Sequence, residues 1–481
     1  MIFFKPEFVL FFFILFNLYW FLPNNNVKKQ NWLLVLANYA FYAWIDWKFV
    51  ALLFASTQLV FMAAIAYHKS TNESRKKFLY LGSLIYAIGV LGFFKYFNFF
   101  IQSFVDFFKL VNINLTISQL KILIPIGISF YSFRLISYII DISREKIEPI
   151  KDALVFHNYI SFFPTILSGP IDRANKFLPL LEEKRTFSYP LCVLAFRQIL
   201  WGLFKKMVIA DNCAEITANV FDNFMALPAS SLVLGAILYT VQMYSDFSGY
   251  SDIAIGFGKL LGFEVNKNFN YPFFATNIAE FWRNWHMSLT TWLTEYVFTP
   301  LTIIFRNLGK WGLILSITIN FAICGLWHGA SWTYVLFGVL NGIYFIPVIL
   351  GDKMYKKRKK GAKYSVVDFL KMVMVFSMFM LSLLIFRASS MTDFFHQMSH
   401  LFSGSLFEVP YIPFNKPLII QTSIFIVVMF VAEWFTKQYD FPLFKIEQKL
   451  SKPLRYTVYY LILIAILVFQ TKTENFIYVQ F

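Results

Sequence analysis

The chain has 481 residues, 58% of them hydrophobic, 21% aromatic and only 15% charged, with a formal net charge of +16. Soluble globular chains run about 45–50% apolar and about 25% charged, so this composition excludes an ordinary soluble enzyme. The Lys and Arg residues fill short gaps between apolar runs rather than an aromatic-laced face, which argues against a nucleic-acid partner.

A membrane-spanning helix needs roughly 20 mostly apolar residues, and the chain offers on the order of a dozen such runs. The expected fold is all-α and polytopic, a single transmembrane domain over residues 1–481 with roughly 11–13 tilted helices plus short interfacial or re-entrant ones. The opening "MIFFKPEFVLFFFILFNLYWFL" carries Glu7 early and shows no small-residue cleavage site, so it reads as a retained first span rather than a signal peptide. Spans are predicted near residues 8–22, 32–45 and 49–67. "HKSTNESRKK" (His68 to Lys77) is a basic gap and is expected on the cytoplasmic side.

In "LIPIGISFYSFRLISYIIDISREK" (Leu123 to Lys146), Pro125 and Gly127 break the pattern and Arg134 falls inside an apolar span. A structural role is expected there, with Arg134 paired to an acid. "VQMYSDFSGYSDIAIGFGKLLGF" (Val241 to Phe263) sets Asp246 and Asp252 among apolar residues, with Ser245, Ser248, Tyr250 and Ser251 close by. Gly249, Gly256, Gly258 and Gly262 suit tight helix contacts. An interhelical polar clasp that supports a site is the favoured reading, ahead of direct chemistry.

Between Asn266 and Leu301 the apolar residues Phe281, Trp285, Leu289, Trp292 and Leu293 recur at helical spacing. Glu280, Arg283, His286 and Glu295 make the stretch too polar to face lipid, so short helices are expected at the interface or dipping into the interior. His286 is then either a bystander in an aromatic belt with Trp282, Trp285 and Trp292, or an imidazole that meets His328 in space.

His328 stands in "INFAICGLWHGASWTYVLFGVLNG", and no Asp, Glu, Lys or Arg occurs from Trp311 to Gly351. Polar groups at membrane depth cost on the order of a few kcal/mol each and are rare unless they face the bundle interior or water. A core histidine satisfied by a carbonyl is one reading. The other is a neutral imidazole that accepts a proton from an attacking hydroxyl, with an activated thioester as the natural electrophile. Gly325 and Gly329 permit close approach, and Asn320, Ser331, Thr333 and Asn341 add hydrogen-bonding groups. His286 and His328 lie 42 positions apart, so only tertiary folding can pair them.

Further on, "DKMYKKRKKGAK" (Asp352 to Lys363) holds seven Lys or Arg residues and is expected to be cytoplasmic, as is "TKQYDFPLFKIEQKLSKPLR" (Thr436 to Arg455). Spans near 366–384, 418–434 and 456–469 then leave Ala388 to Pro417 and both chain ends outside. His396 and His400 in "HQMSH" share a helix face, but no third ligand is evident, and no metal is expected. Cys192, Cys213 and Cys324 stand singly and read as small core residues.

Taken in order, "IPIGISFYSFRLISYIID", "FFPTILSGPIDR", "YSDFSGYSDIAIGFGKLLGF", "NFNYPFFATNIAEFWRNWHMSLTTWL" and "GLWHGASWTYVLFGVLNG", with the terminal "FIYVQF", resemble the membrane-bound O-acyltransferase family. The similarity is to its bacterial polysaccharide-modifying branch of alginate and peptidoglycan O-acetylation proteins and teichoic acid D-alanyl transfer proteins, and it covers about residues 1 to 350. The resemblance implies a ring of tilted helices around a thin, funnel-pierced centre. It implies His328, in a Trp-His-Gly context after Trp327, as the catalytic residue and His286, in a Trp-His-x-Ser context after Trp285, as its partner. Asp246, Ser248, Tyr250, Asp252, Asn320 and Ser331 would support the site or bind substrate.

It further implies cytoplasmic acetyl-CoA as donor, no permanently bound cofactor, and an extracytoplasmic O-acetyltransferase partner. The acceptor would be a cell-envelope polysaccharide, peptidoglycan first, and the location the bacterial cytoplasmic membrane. Asn284, Thr294–Glu295 and Asn341 depart from residues common in relatives, and "FTPLTIIFRNLGKWG" lacks a Gly-Gly loop, which points away from alginate. The alternatives are D-alanyl transfer from a carrier protein, and a transporter or channel with Asp246, Asp252 and Arg134 along a pathway. Against the transporter, the chain shows no pair of matching halves.

Overall fold

A computed structural model describes residues 3, 5–21, 26–115, 117–352, 354, 364–413 and 416–470. Most of the basic run Asp352–Lys363 and the terminal "FIYVQF" lie outside the described residues. The described chain is helical, with no strand among its elements. Among the described residues, seven stretches are long and apolar enough to cross a membrane: Val27–Lys69, Glu73–Leu110, Arg306–His328, Trp332–Leu350, Val366–Arg387, Lys416–Thr436 and Lys452–Phe469. The first, of 43 residues, is two 20-residue helices in succession, and at about 1.5 Å per residue each reaches about 30 Å. Other apolar runs fold into shorter helices, such as the 16-residue Pro6–Phe21. Contacts gather the chain into two compact units, residues 2–192 with 257–266, and residues 193–256 with 267–481.

The first unit contains α1 (Pro6–Phe21), α2 (Val27–Asp46), α3 (Val50–Lys69), α4 (Glu73–Leu91), α5 (Phe97–Leu110), α6 (Ile128–Ser143), α7 (Ala153–Ser161), α8 (Phe163–Ile166), α9 (Ala174–Glu182) and the start of α10 (Tyr189–Leu203). Asn26 and Asn72 cap α2 and α4 by accepting from the Lys29 and Arg75 backbone N–H groups. Phe8, Phe12 and Phe257 pack ring to ring, with centroids 5.1 and 4.6 Å apart. Gly127 starts α6 at φ +77°, and a Cβ there would sit 2.6 Å from the Ile166 carbonyl oxygen, so the Pro125–Gly127 break is a steric requirement.

Residues 128–142 of α6 are all buried, so every polar group on it needs a protein partner. Arg134 is bound directly by carbonyls and a hydroxyl, and the acid expected from the sequence is Asp172, which acts on it electrostatically. Its guanidinium donates to Tyr159 O (3.0 Å), Ile160 O (3.1 Å) and Thr165 Oγ1 (2.5 Å). The two carbonyls belong to the last turn of α7, where unpaired C=O groups gather partial negative charge that suits a cation. His157, on the same helix, is a satisfied core histidine: Nε2–H donates to Gln58 Oε1 (3.0 Å) and Nδ1 accepts from the Tyr39 hydroxyl (2.7 Å).

The second unit continues α10 through a π-helical turn (Phe204–Ala210) into α11 (Asp211–Asp222) and α12 (Ala229–Leu260), whose last four residues belong to the first unit. It then forms α13 (Ile278–Asn284), α14 (Met287–Leu293), α15 (Thr299–Ile304), α16 (Gly309–His328), α17 (Trp332–Ile343), α18 (Ile346–Leu350), α19 (Val366–Arg387), α20 (Met391–Leu401), α21 (Lys416–Thr436) and α22 (Lys452–Phe469). A Ser365–Asp368 capping box starts α19. The α10 and α12 backbones touch at Gly202 and Gly249, where a Cβ on Gly249 would lie 2.8 Å from Gly202 O. On α21, Ile420, Ile424, Val427, Val431 and Phe435 form an exposed apolar stripe, the surface that lipid contact calls for.

Candidate active site

His328 is the last residue of α16, and α17 begins three residues beyond Gly329. Ser331 caps α17, its Oγ accepting from Thr333 N–H at 3.3 Å. The two helices meet backbone to backbone. A Cβ on Gly325 would lie 2.0 Å from Tyr334 O, and one on Gly338 would lie 2.0 Å from Phe321 O. The glycines around His328 therefore serve helix approach. Gly325→Ala is expected to force α16 and α17 apart at a cost of about 1–3 kcal/mol, and to lower the melting temperature of the detergent-solubilised protein. A wild-type melting temperature would contradict this contact.

The His328 ring is 5% exposed. Its Nε2 is 4.0 Å from Cys324 Sγ, one turn back. Its centroid lies 5.0 Å from Trp327, 5.4 Å from Phe386 of α19 and 6.1 Å from Phe337. The ring thus stands at the C-terminal end of a 20-residue helix and reaches back towards Cys324.

His286 separates two of the short helices expected in this stretch, although the spacing of Phe281, Trp285, Leu289 and Trp292 runs through it. It adopts φ +43° and ψ +53°, between α13 and α14. A left-handed conformation in a non-glycine residue costs on the order of 1–3 kcal/mol and persists where the surroundings impose it, often at functional sites. The ring is 1% exposed, and Trp282, Trp285 and Trp292 are buried as well. This stretch lies in the protein interior and is not an aromatic belt at the headgroups. Backbone bonds bracket the break, Met287 N–H to Asn268 O at 2.8 Å and Asn270 N–H to Asn284 O at 3.0 Å.

Trp327 joins the two histidines. Its ring centroid lies 5.0 Å from His328 and 5.7 Å from His286. The imidazoles are close enough to act on one another electrostatically. Phe247 of α12 stands edge-on to His286 at 4.5 Å. Trp285 packs on Phe281, Phe379 and Phe269 and so anchors the segment in the core.

The carboxylates of α12 form the clasp that the sequence favoured. Lys206 Nζ reaches Asp246 Oδ1 at 2.8 Å and Asp211 Oδ1 at 2.7 Å, and all three side chains are almost wholly buried. Lys205 Nζ reaches Asp252 Oδ2 at 2.7 Å and Ser248 Oγ at 2.9 Å, and Gln198 Nε2 donates to Asp252 Oδ1. Tyr250 is buried on the same helix and Asn320 is buried two turns before His328. Ser248, Asp252 and Ser331 are thus engaged in helix packing and capping. His400 Nε2 donates to Leu227 O at 2.8 Å, while His396 is exposed.

Sequence reasoning missed Lys205, Lys206, Asp211 and Asn268. The signal lay in "LFKKMVIAD", where two adjacent lysines sit inside an apolar run with an acid one turn on.

The profile of the MBOAT, membrane-bound O-acyltransferase family, matches residues 11–391, a segment that includes both histidines, Trp327 and the clasp. The chain belongs to this family. It is an O-acyltransferase of the family's bacterial O-acetylation branch and a multi-pass membrane protein. It is 32% identical to a "Probable alginate O-acetylase" of Azotobacter vinelandii over 78% of this chain and 73% of that one. It is 30% identical to a peptidoglycan O-acetyltransferase of Helicobacter pylori over 76% of this chain and 72% of that one. It is 29% identical to a teichoic acid D-alanyltransferase of Streptococcus thermophilus over 52% of this chain and 62% of that one.

Proposed function

We propose that this O-acyltransferase takes an acetyl group from acetyl-CoA on the cytoplasmic side of a bacterial cytoplasmic membrane and passes it to a cell-envelope polysaccharide, peptidoglycan first, with a separate extracytoplasmic acetyltransferase completing the transfer. The observation that carries the reading is the meeting of His286 and His328 about Trp327, two buried imidazoles brought together from 42 positions apart. His328 takes the proton from the accepting hydroxyl, that of the glycan or of a nucleophile on the relay partner, as the hydroxyl oxygen attacks the thioester carbonyl carbon. A C–O bond forms, and His286 donates a hydrogen bond to the oxyanion. Collapse breaks the C–S bond, and the proton on His328 leaves with the thiolate. The clasp of Lys205 and Lys206 with α12 holds Phe247, and through it His286, in place.

The names of the H. pylori and A. vinelandii relatives support acetyl as the acyl group. Their near-equal similarity leaves the acceptor to chemistry, so the departures at Asn284, Thr294–Glu295 and Asn341 do not by themselves separate peptidoglycan from alginate. The D-alanyl reading draws on the S. thermophilus relative, whose match covers a smaller part of this chain. Purified enzyme in vesicles, given labelled acetyl-CoA or a D-alanyl-loaded carrier protein, separates the two. The proposal expects label to reach peptidoglycan oligosaccharide from acetyl-CoA alone and in greater yield with the partner present. Transfer only from the carrier would overturn it.

A further inference from the structure

We propose that Asn268 is a positioning residue for His286, clamping the backbone after the histidine in its left-handed turn and so aiming the ring at Trp327. The proposal rests on the reading of His286 as part of the acyl-transfer site. Asn268 is fully buried and no part of the chemistry above uses it. Its backbone oxygen accepts from Met287 N–H at 2.8 Å. Its side-chain Oδ1 accepts from Ser288 Oγ–H at 2.6 Å and from Ser288 N–H at 3.4 Å. Its Nδ2 donates to Ser251 Oγ at 3.1 Å. One asparagine therefore holds both residues that follow His286 and ties them to α12.

That tie is made one helical turn from Phe247, the α12 ring that faces His286 at 4.5 Å. The same helix thus sets both the anchor and the wall of the His286 pocket. On the other side, Asn270 donates from its N–H to Asn284 O at 3.0 Å and from Nδ2 to Asn284 Oδ1 at 3.3 Å. The histidine is pinned fore and aft.

The need for a pin follows from the sequence. The apolar residues from Phe281 to Trp292 keep helical spacing across position 286, so the local preference is for one unbroken helix. An unbroken helix would relieve the positive φ and swing the His286 ring away from Trp327. The clamp at Asn268 opposes that. The role calls for an acceptor and a donor on one short side chain, which Asn supplies and an apolar residue does not.

The test is steady-state acyl transfer by the full-length protein in nanodiscs, comparing wild type, Asn268→Ala, His286→Ala and the double variant. Misplacement of a reacting group by about 1 Å costs about 10²-fold in rate. Asn268→Ala is expected to lower kcat by about that factor, with KM changed by less than about twofold, because a positioning residue acts on the reacting geometry and not on ground-state binding. The double variant is expected to be no slower than His286→Ala, because the asparagine acts only through the histidine.

Losses that multiply in the double variant, or wild-type kcat in Asn268→Ala, would overturn the proposal. If Asn268→Ala does not accumulate as folded protein, Ser288→Ala removes only the 2.6 Å hydroxyl bond, and its cycle with His286→Ala is read by the same two outcomes. Full activity of His286→Ala alone would instead sink the site reading, and this proposal with it.

Discussion

His328→Ala is expected to reduce acyl transfer by at least about 10²–10⁴-fold, the usual contribution of a positioned general base. The protein should still insert, purify and melt close to wild type. His328 is the terminal residue of α16, and the close backbone contacts of α16 with α17 at Gly325 and Gly338 do not depend on the imidazole. Ring contacts with Trp327, Phe337 and Phe386 would be lost, but these aromatic residues still pack on one another, as Phe337 does on Phe386 at 5.2 Å. The pairing of normal expression with absent turnover, measured by labelled acyl transfer beside a thermal melt, is the expected signature. Equal loss of folded protein and of activity would mean that the ring is structural.

Lys206→Met is expected to have the opposite signature, a collapse of stability. Lys206 Nζ contacts both Asp211 and Asp246, and the three side chains are 1–2% exposed. Removing the cation leaves two carboxylates buried together, and breaking a buried pair on one side costs about 3–5 kcal/mol. That is a large fraction of a stability of about 5–15 kcal/mol. Yield of folded protein and melting temperature should fall sharply. Replacing both acids as well, in Lys206→Met/Asp211→Asn/Asp246→Asn, should recover much of the loss, since the penalty lies in unpaired charge. A single variant that melts like wild type would show that these groups are not dry in the folded protein.

The lipid-facing parts of the fold were readable from the sequence because bilayer thickness sets their length. The run expected near 32–45 is α2, Val27–Asp46, the one near 49–67 is α3, Val50–Lys69, and the ones near 366–384 and 418–434 are α19 and α21. Apolarity carries no such information where helices face protein. Short helices are expected around His286, but the place of the break is not legible because Phe281, Trp285, Leu289 and Trp292 keep their spacing through it; the bonds from Asn268 and Asn270 bracket the turn. The acid expected for Arg134 is Asp172, but the carbonyls at the end of α7 that bind its guanidinium directly carry no signal in side-chain chemistry. Lys205 and Lys206 sit inside an apolar run, and their partners lie on other turns and helices. The π-helical turn that carries them lies against α12 and gives each an aspartate. The two catalytic candidates could be named from their motifs, but their meeting about Trp327 is a property of the folded second unit alone.

The most direct measurement is a cryo-EM structure of the protein in nanodiscs with a thioether analogue of acetyl-CoA that cannot be cleaved. The account predicts the analogue's carbonyl seated beside Trp327, within about 3–3.5 Å of a ring nitrogen of His328 or His286, the reach needed for reaction. An analogue bound with its carbonyl remote from both imidazoles would contradict it.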